Sequence, residues 1–175
     1  MKVDYEVIDN FLPQKEFREI QKIIINEDNI PNTSPQTSLG WLYTSGIAKK
    51  NEQENWKYFY MIHSIYEYGI ICSKFYEKLI PVLEKLDVKA LVRIKANLYP
   101  NSEELHEHEA HTDTNYPHMA AILYINTCNG YTKLKDGTKI DSIANRILLF
   151  DGSISHCSTT TTDQTARFNI NFNYF

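Results

Sequence analysis

Leu91-Val92-Arg93-Ile94-Lys95-Ala96-Asn97-Leu98-Tyr99 alternates without a break, with Arg93, Lys95, Asn97 and Tyr99 on one face and Val92, Ile94, Ala96 and Leu98 on the other. A period of two marks an extended strand with two unlike faces. The end of the chain repeats the pattern, with Arg167, Asn169, Asn171 and Asn173 set against Phe168, Ile170, Phe172 and Tyr174. In a sheet with one solvated side such polar faces meet water. In a barrel whose outside is covered they line the interior, and alternation by itself does not separate the two.

Between these strands, Ala120 to Asn126 and Arg146 to Phe150 are short apolar runs of strand length, and Lys135-Asp136-Gly137-Thr138 carries the Asp-Gly signal of a hairpin turn. Towards the N-terminus the period changes. After the apolar stretch Val7 to Leu12, Pro13 suits a first helical turn, and Phe17, Ile20, Ile23 and Ile24 recur at helical spacing, predicting a helix to about Asn26. Asp28 to Lys50 mixes Pro31, Pro35, Gly40 and Gly46 around Trp41, Leu42 and Tyr43, which predicts a long loop or short irregular strands. We take residues 29–50 as a candidate lid, with Trp41 and Tyr43 bordering an entrance. From Phe59 to Leu86 the apolar positions predict one or two helices, with Gly69 and Pro81 as breaks. Helices followed by short antiparallel strands predict an α+β, mainly β fold: a jelly-roll barrel buttressed by N-terminal helices. We expect one domain over 1–175, with mostly helical support and loop in 1–90 and the barrel core in 91–175.

Composition narrows the functions. The 175 residues are 42% hydrophobic, enough for one sizeable core, and 18 Lys plus Arg against 22 Asp plus Glu leave a net charge of -4. That balance argues against non-specific holding of nucleic acid or anionic lipid. No apolar run approaches the roughly 20 residues of a membrane span, and the first residues lack a signal peptide's apolar region, so a cytoplasmic protein is expected. Cys72, Cys128 and Cys157 are scattered and odd in number, which predicts reduced thiols. Oligomeric state is left open.

The chemistry lies in His111-Thr112-Asp113 and, much later, His156. In extended chain, residues two apart face the same way, so His111 and Asp113 can share a ligand. Two imidazoles and a carboxylate on one face of an octahedron leave positions open, as non-haem Fe(II) oxygenases require. An H-x-D alone is weak; its context is the Arg-faced strand before it, the apolar strands between, and Arg167 after it. The bland reading is a hydrogen-bonded surface pair. His106, His108 and His118 are not expected to bind metal, because His106-Glu107-His108-Glu109 is polar throughout and reads as a solvated loop. Cys157 reads as packing, and Arg93 as a salt-bridge partner or a group at the mouth.

From Leu91 to Phe175 the chain resembles the 2-oxoglutarate and Fe(II)-dependent dioxygenases, prolyl hydroxylases in particular. Asn97-Leu98-Tyr99-Pro100 resembles the segment before the family's H-x-D, whose tyrosine faces the cosubstrate. His111, Asp113 and His156 match its metal triad, and Leu123-Tyr124-Ile125-Asn126 its tyrosine strand. The resemblance implies a double-stranded β-helix, cupin-like, with Fe(II) on the triad. It further implies 2-oxoglutarate held at its far carboxylate by Arg167 and Tyr124, with Tyr99 and Asn97 also at the cofactor. O2 would be consumed, ascorbate would support turnover, and succinate and CO2 would accompany hydroxylation of a protein side chain, proline first. Gly130-Tyr131-Thr132 resembles the family's glycine turn after the tyrosine strand. Asn173 stands where several prolyl hydroxylases carry tryptophan.

A second resemblance is to AlkB-type nucleic-acid dealkylases, through Asn97-x-Tyr99, the H-x-D, His156 and Arg167-x-Asn169-x-Asn171. Asn171 and Asn173 replace the Thr and Arg that complete that motif, and the acidic balance disfavours a nucleic-acid partner. A jelly-roll binding module without catalysis is the third possibility.

Overall fold

The computed structural model describes residues 4–26, 39–45 and 59–175. Most of the candidate lid, 29–50, lies outside them. The described elements are β1 Tyr5–Ile8, α1 Gln14–Ile25, β2 Leu42–Thr44, β3 Tyr60–Glu67, β4 Ile70–Ile71, a 3-10 turn Lys74–Leu79 running into α2 Ile80–Lys85, β5 Leu91–Pro100, β6 Met119–Tyr124, β7 Tyr131–Leu134, β8 Lys139–Asp141, β9 Ile147–Asp151, β10 His156–Ser158 and β11 Ala166–Tyr174. Every strand pairing is antiparallel. A large sheet runs β1-β9-β6-β11-β5-β3-β2, with β4 on β3, and a small one runs β10-β7-β8. Their facing arrangement is the double-stranded β-helix expected from the sequence.

Two cores follow from the alternation of β5, β6, β9 and β11. On the outer side of the large sheet, Ile94, Ala96, Ala121, Leu123, Ile147, Ile170 and Phe172 meet Phe17, Ile20 and Ile24 of α1 and Leu79 and Val82 of the second helical segment. Between the sheets, Ala120, Ile122, Tyr124, Leu148 and Phe150 meet Leu134 and Ile140. The outer face is therefore covered, and the polar faces of β5 and β11 turn inward. Register is fixed by their mutual pairing, which sets Arg167 opposite Tyr99, Asn169 opposite Asn97, Asn171 opposite Lys95 and Asn173 opposite Arg93.

The largest departure from expectation lies in 59–86, where helices were predicted. The structure instead has a hairpin, β3–β4, before the helical segment at 74–85. Tyr68 and Gly69 both have positive φ, 53° and 77°, and form a two-residue turn between the pairs Glu67–Ile70 and Tyr66–Ile71. A register shift between Ser64 and Tyr66 breaks the strand's alternation, so its apolar positions mimic helical spacing. The N-terminal half is thus less helical than predicted, and β1 adds an edge strand on β9. The Asp-Gly turn does close a hairpin, but between β7 and β8 of the small sheet, with Gly137 at φ 90°, while β6 and β9 pair directly. The three cysteines are unpaired thiols. Among the described residues no helix is long and apolar enough to cross a membrane.

Trp41 and Tyr43 correct another expectation. Trp41 packs on Phe168 and His63, and Tyr43 on Phe59. Tyr43 pairs with Met61, whose partner is Leu98, so it shares the helix-side face of the sheet rather than bordering the cavity. Register with β3 set that face, and nothing in the loop's composition announced it.

Candidate metal and cosubstrate site

A cavity of about 310 Å³ opens between the sheets, lined on the β5 side by Arg93, Lys95, Asn97 and Tyr99 and on the far side by His111, Asp113, His156 and Ser158. Backbone pairing creates the histidine cluster. His111 and His156 exchange both N–H···O bonds, each 2.9 Å, which sets the two imidazoles side by side with ring centroids 4.7 Å apart. Asp113, two residues on, donates its backbone N–H to the carbonyl of Gly152, which turns its carboxylate to the same place. One ligand atom from each of His111, Asp113 and His156 lies within 4.8 Å of the others. His156 Nδ1 lies 2.9 Å from the Ile154 carbonyl; the N–H it donates there leaves Nε2 as a lone pair.

The protonation states suit a cation. Burial, and then the neighbouring His156, push His111 down to about 4, so it is neutral at neutral pH. Burial alone would raise Asp113, but His156, Arg93 and the amides of Asn173 and Asn171 outweigh it and hold the carboxyl near 2. Arg93 donates to Asp113 Oδ1 at 2.8 Å, and Asn171 and Asn173 donate to Oδ2 at 3.1 and 2.9 Å. Asn173 also lies 3.0 Å from His118 Nε2. His118 Nδ1 faces the Tyr116 carbonyl at 3.0 Å, so Nδ1 carries the proton and Nε2 accepts from Asn173. Asn173, which departs from both family patterns, and Asn171, which departs from the dealkylase motif, therefore hold the candidate carboxylate ligand in place.

A pH dependence follows. Because His111 titrates near 4 when folded and near 6.5 otherwise, the metal-free native state binds fewer protons than the unfolded chain between those values. Its stability is full above about 6.5 and falls as pH drops towards 4; the Asp113 contribution is lost only between its ordinary 3.8 and about 2. Thermal melts of metal-free protein should show a falling melting temperature from pH 7 to 4.5, with a shallower slope in His111→Ala.

Deeper in the barrel, Arg167 is fully buried. Its guanidinium donates to Ser158 Oγ at 2.7 Å and Thr132 Oγ1 at 3.1 Å, and lies over the rings of Tyr99 and Tyr124 at 5.3 and 5.6 Å. Tyr124 donates to the same Thr132 hydroxyl at 2.9 Å, and burial raises its own hydroxyl to about 12. Arg167 has no carboxylate in ion-pair range among the described residues, and its Nε has no partner. A buried guanidinium without a counter-charge is costly, and a bidentate carboxylate satisfies it. Asn97 donates to Asn169 at 2.8 Å, and its own Oδ1 is a buried acceptor without a donor. The residues present thus fit both groups: a triad of two imidazoles and a carboxylate for a divalent metal, and a buried cation for a dicarboxylate.

Gly130 carries a further constraint. A Cβ there would lie 2.6 Å from Arg167 Cδ and 2.6 Å from the Thr160 carbonyl. Gly130→Ala should displace the arginine and cost about 1–3 kcal/mol of stability as overpacking, checked by denaturant unfolding alongside 2-oxoglutarate titration.

All seven residues singled out from sequence, His111, Asp113, His156, Arg167, Tyr124, Tyr99 and Asn97, surround this cavity or its buried end. One expectation changes. His108 does not sit in a solvated loop: it is buried and packs on Tyr99, while Glu107 is tied to Lys133 and Tyr131. Pairing of this segment with the end of β10 and the residue after it, seen in the His108 N–H to Ser158 carbonyl bond and the Glu107–Thr159 bridge, buries His108. Not singled out for the site were Thr132, Ser158, Tyr60 and Lys95. Lys95 was visible on the polar face of β5 but indistinguishable there from a solvated lysine.

The architecture is that of the 2-oxoglutarate and Fe(II) oxygenases of known structure. The chain superposes on a prolyl hydroxylase from Trichoplax adhaerens, solved in complex with a hypoxia inducible factor oxygen degradation domain peptide fragment, at TM-score 0.64 and 17% identity, covering 98% of this chain and 83% of that one. A Pseudomonas putida prolyl-4-hydroxylase matches at 0.62 and 13%, covering 99% and 92%. A 2OG-Fe(II) oxygenase family oxidoreductase from Burkholderia pseudomallei matches at 0.67 and 9%, covering 97% and 84%. No family model matches the sequence, and no curated protein does.

Proposed function

We propose that this chain is an Fe(II)- and 2-oxoglutarate-dependent dioxygenase that hydroxylates a protein side chain, proline being the first candidate, with succinate and CO2 as co-products. The observation that carries the reading is the pairing of a His-Asp-His cluster with a fully buried, uncompensated arginine at the end of the same barrel. His111, Asp113 and His156 would hold the metal; Arg167 and Tyr124, braced by Thr132 and Ser158, would hold the far carboxylate. Bound Fe(II) and its cosubstrate supply the oxygen activation that no side chain can. The chain's own part is to present His111 as a neutral imidazole, to fix the Asp113 carboxylate through Arg93, Asn171 and Asn173, and to line the site with Ile122 and Tyr99. A peptide substrate is favoured by the peptide-bound prolyl hydroxylase of the same fold.

Aerobic incubation with Fe(II), ascorbate, 2-oxoglutarate and a peptide pool should yield succinate and peptides heavier by one oxygen. Methyl loss from an alkylated nucleic-acid pool instead would establish the dealkylase reading. Failure to bind either Fe(II) or 2-oxoglutarate would leave only the binding module.

A further inference from the structure

We propose that Lys95 forms, with the face of Tyr60, a carboxylate-binding subsite beside the metal cluster, and that the substrate is acidic at or next to the oxidised residue. The proposal rests on the oxygenase reading above and names the substrate class of that site. Lys95 projects from β5 into the cavity between the positions of Arg93 and Asn97. Its ammonium lies 5.7 Å from the centre of the Tyr60 ring, and Tyr60 in turn stacks on Tyr99 at 5.7 Å. Among the described residues no carboxylate is within ion-pair range of it. The two that act on it electrostatically are already engaged, Asp113 by Arg93 and Glu67 by Ser64. Among the described residues it is a half-buried cation, held in a cavity wall and lacking an acceptor.

Charge in the loaded cavity makes the argument sharper. The metal's two positive charges and the cosubstrate's two negative ones cancel, and Asp113 offsets one of Arg93, Lys95 and Arg167. The chain as a whole is acidic at -4, yet its cavity would remain cationic once loaded. Arg167 meets the far carboxylate opposite Tyr99, whereas Lys95 lies four residues along β5, about 13 Å of strand, towards Arg93. An anion arriving with the substrate is the chemistry this ammonium lacks. A neutral prolyl segment alone would leave it partly desolvated and unpaired, which is unfavourable.

The test uses the full chain loaded anaerobically with Fe(II) and 2-oxoglutarate, read by the charge-transfer absorption of that complex. The probes are matched acids and amides: L-proline against L-prolinamide, and end-blocked prolyl-aspartate against prolyl-asparagine. At least one acid should bind about tenfold or more tightly than its amide in the wild type, as a charge-assisted hydrogen bond requires. Lys95→Met should bring that ratio close to one, Lys95→Arg should restore it, and circular dichroism would establish that both variants fold. Absence of any acid preference in the wild type overturns the proposal, as does a preference that survives in Lys95→Met. A tenfold loss of 2-oxoglutarate affinity in Lys95→Met with the ratio intact assigns the ammonium to the cosubstrate and likewise overturns it. Absence of the charge-transfer band in the wild type overturns the oxygenase reading and this proposal with it, whereas a band without acid preference overturns this proposal alone.

Discussion

His111→Ala is expected to abolish succinate formation while the protein stays folded. The variant removes one of three ligand atoms that the structure brings within 4.8 Å of one another. Losing even an outer-sphere partner of a metal ligand costs roughly 10- to 100-fold in affinity or activity, so loss of the ligand itself should exceed about 100-fold in Fe(II) affinity. Histidine is the right position to change. Asp113 is held by Arg93, Asn171 and Asn173, and removing its carboxylate would strand all three donors, mixing a folding defect with the metal defect. At position 111 the metal-free protein loses only a half-buried neutral imidazole and its contact with His156. Metal titration and a succinate assay are the measurements. Wild-type turnover in His111→Ala, with iron bound at unchanged affinity, would remove the triad from consideration.

Arg167→Met should separate binding from stability in opposite directions. Truncating one member of a buried, hydrogen-bonded charge pair costs roughly 2 to 5 kcal/mol, and 2 kcal/mol already corresponds to about 30-fold in affinity. 2-Oxoglutarate binding should therefore weaken by that factor or more. Without cosubstrate, however, the wild-type guanidinium is fully buried with no counter-charge among the described residues. Replacing such a group by an apolar side chain of similar length is often neutral or stabilising. The melting temperature of metal-free Arg167→Met should thus equal or exceed that of the wild type. Tyr124→Phe, which removes one hydroxyl shared with Thr132, should weaken cosubstrate binding far less, by about 1 kcal/mol. If Arg167→Met unfolds easily and binds 2-oxoglutarate as before, the arginine is a structural strut for Thr132 and Ser158.

Some of this molecule is legible one strand at a time. β5 and β11 could be read because their alternation is unbroken and their apolar faces are continuous, so a one-residue slip would bury lysine and asparagine under α1. His111, Asp113, His156 and Arg167 were legible because their residue types are chemically unusual in that order, and in extended chain His111 and Asp113, two apart, face the same way. The hairpin β3–β4 was not legible. Its turn uses Tyr68, a residue without turn preference, and its bulge at Ser64 to Tyr66 erases the period that would have announced it.

The sequence by itself determined the strand faces, the α1 stripe and the identity of the candidate ligands, because these depend on local periodicity and side-chain chemistry. Tertiary structure alone decided what those faces enclose. Sheet pairing aligned Asn171 and Asn173 with Lys95 and Arg93, the His111–His156 bridge joined segments 45 residues apart, and the small sheet brought Thr132 and Ser158 to Arg167. It also turned Trp41 outward and left Lys95 facing the cavity. Each of these is a relation between strands distant in the chain. Such relations are set by register and by which face the helices cover, and neither is written in the spacing of any single segment.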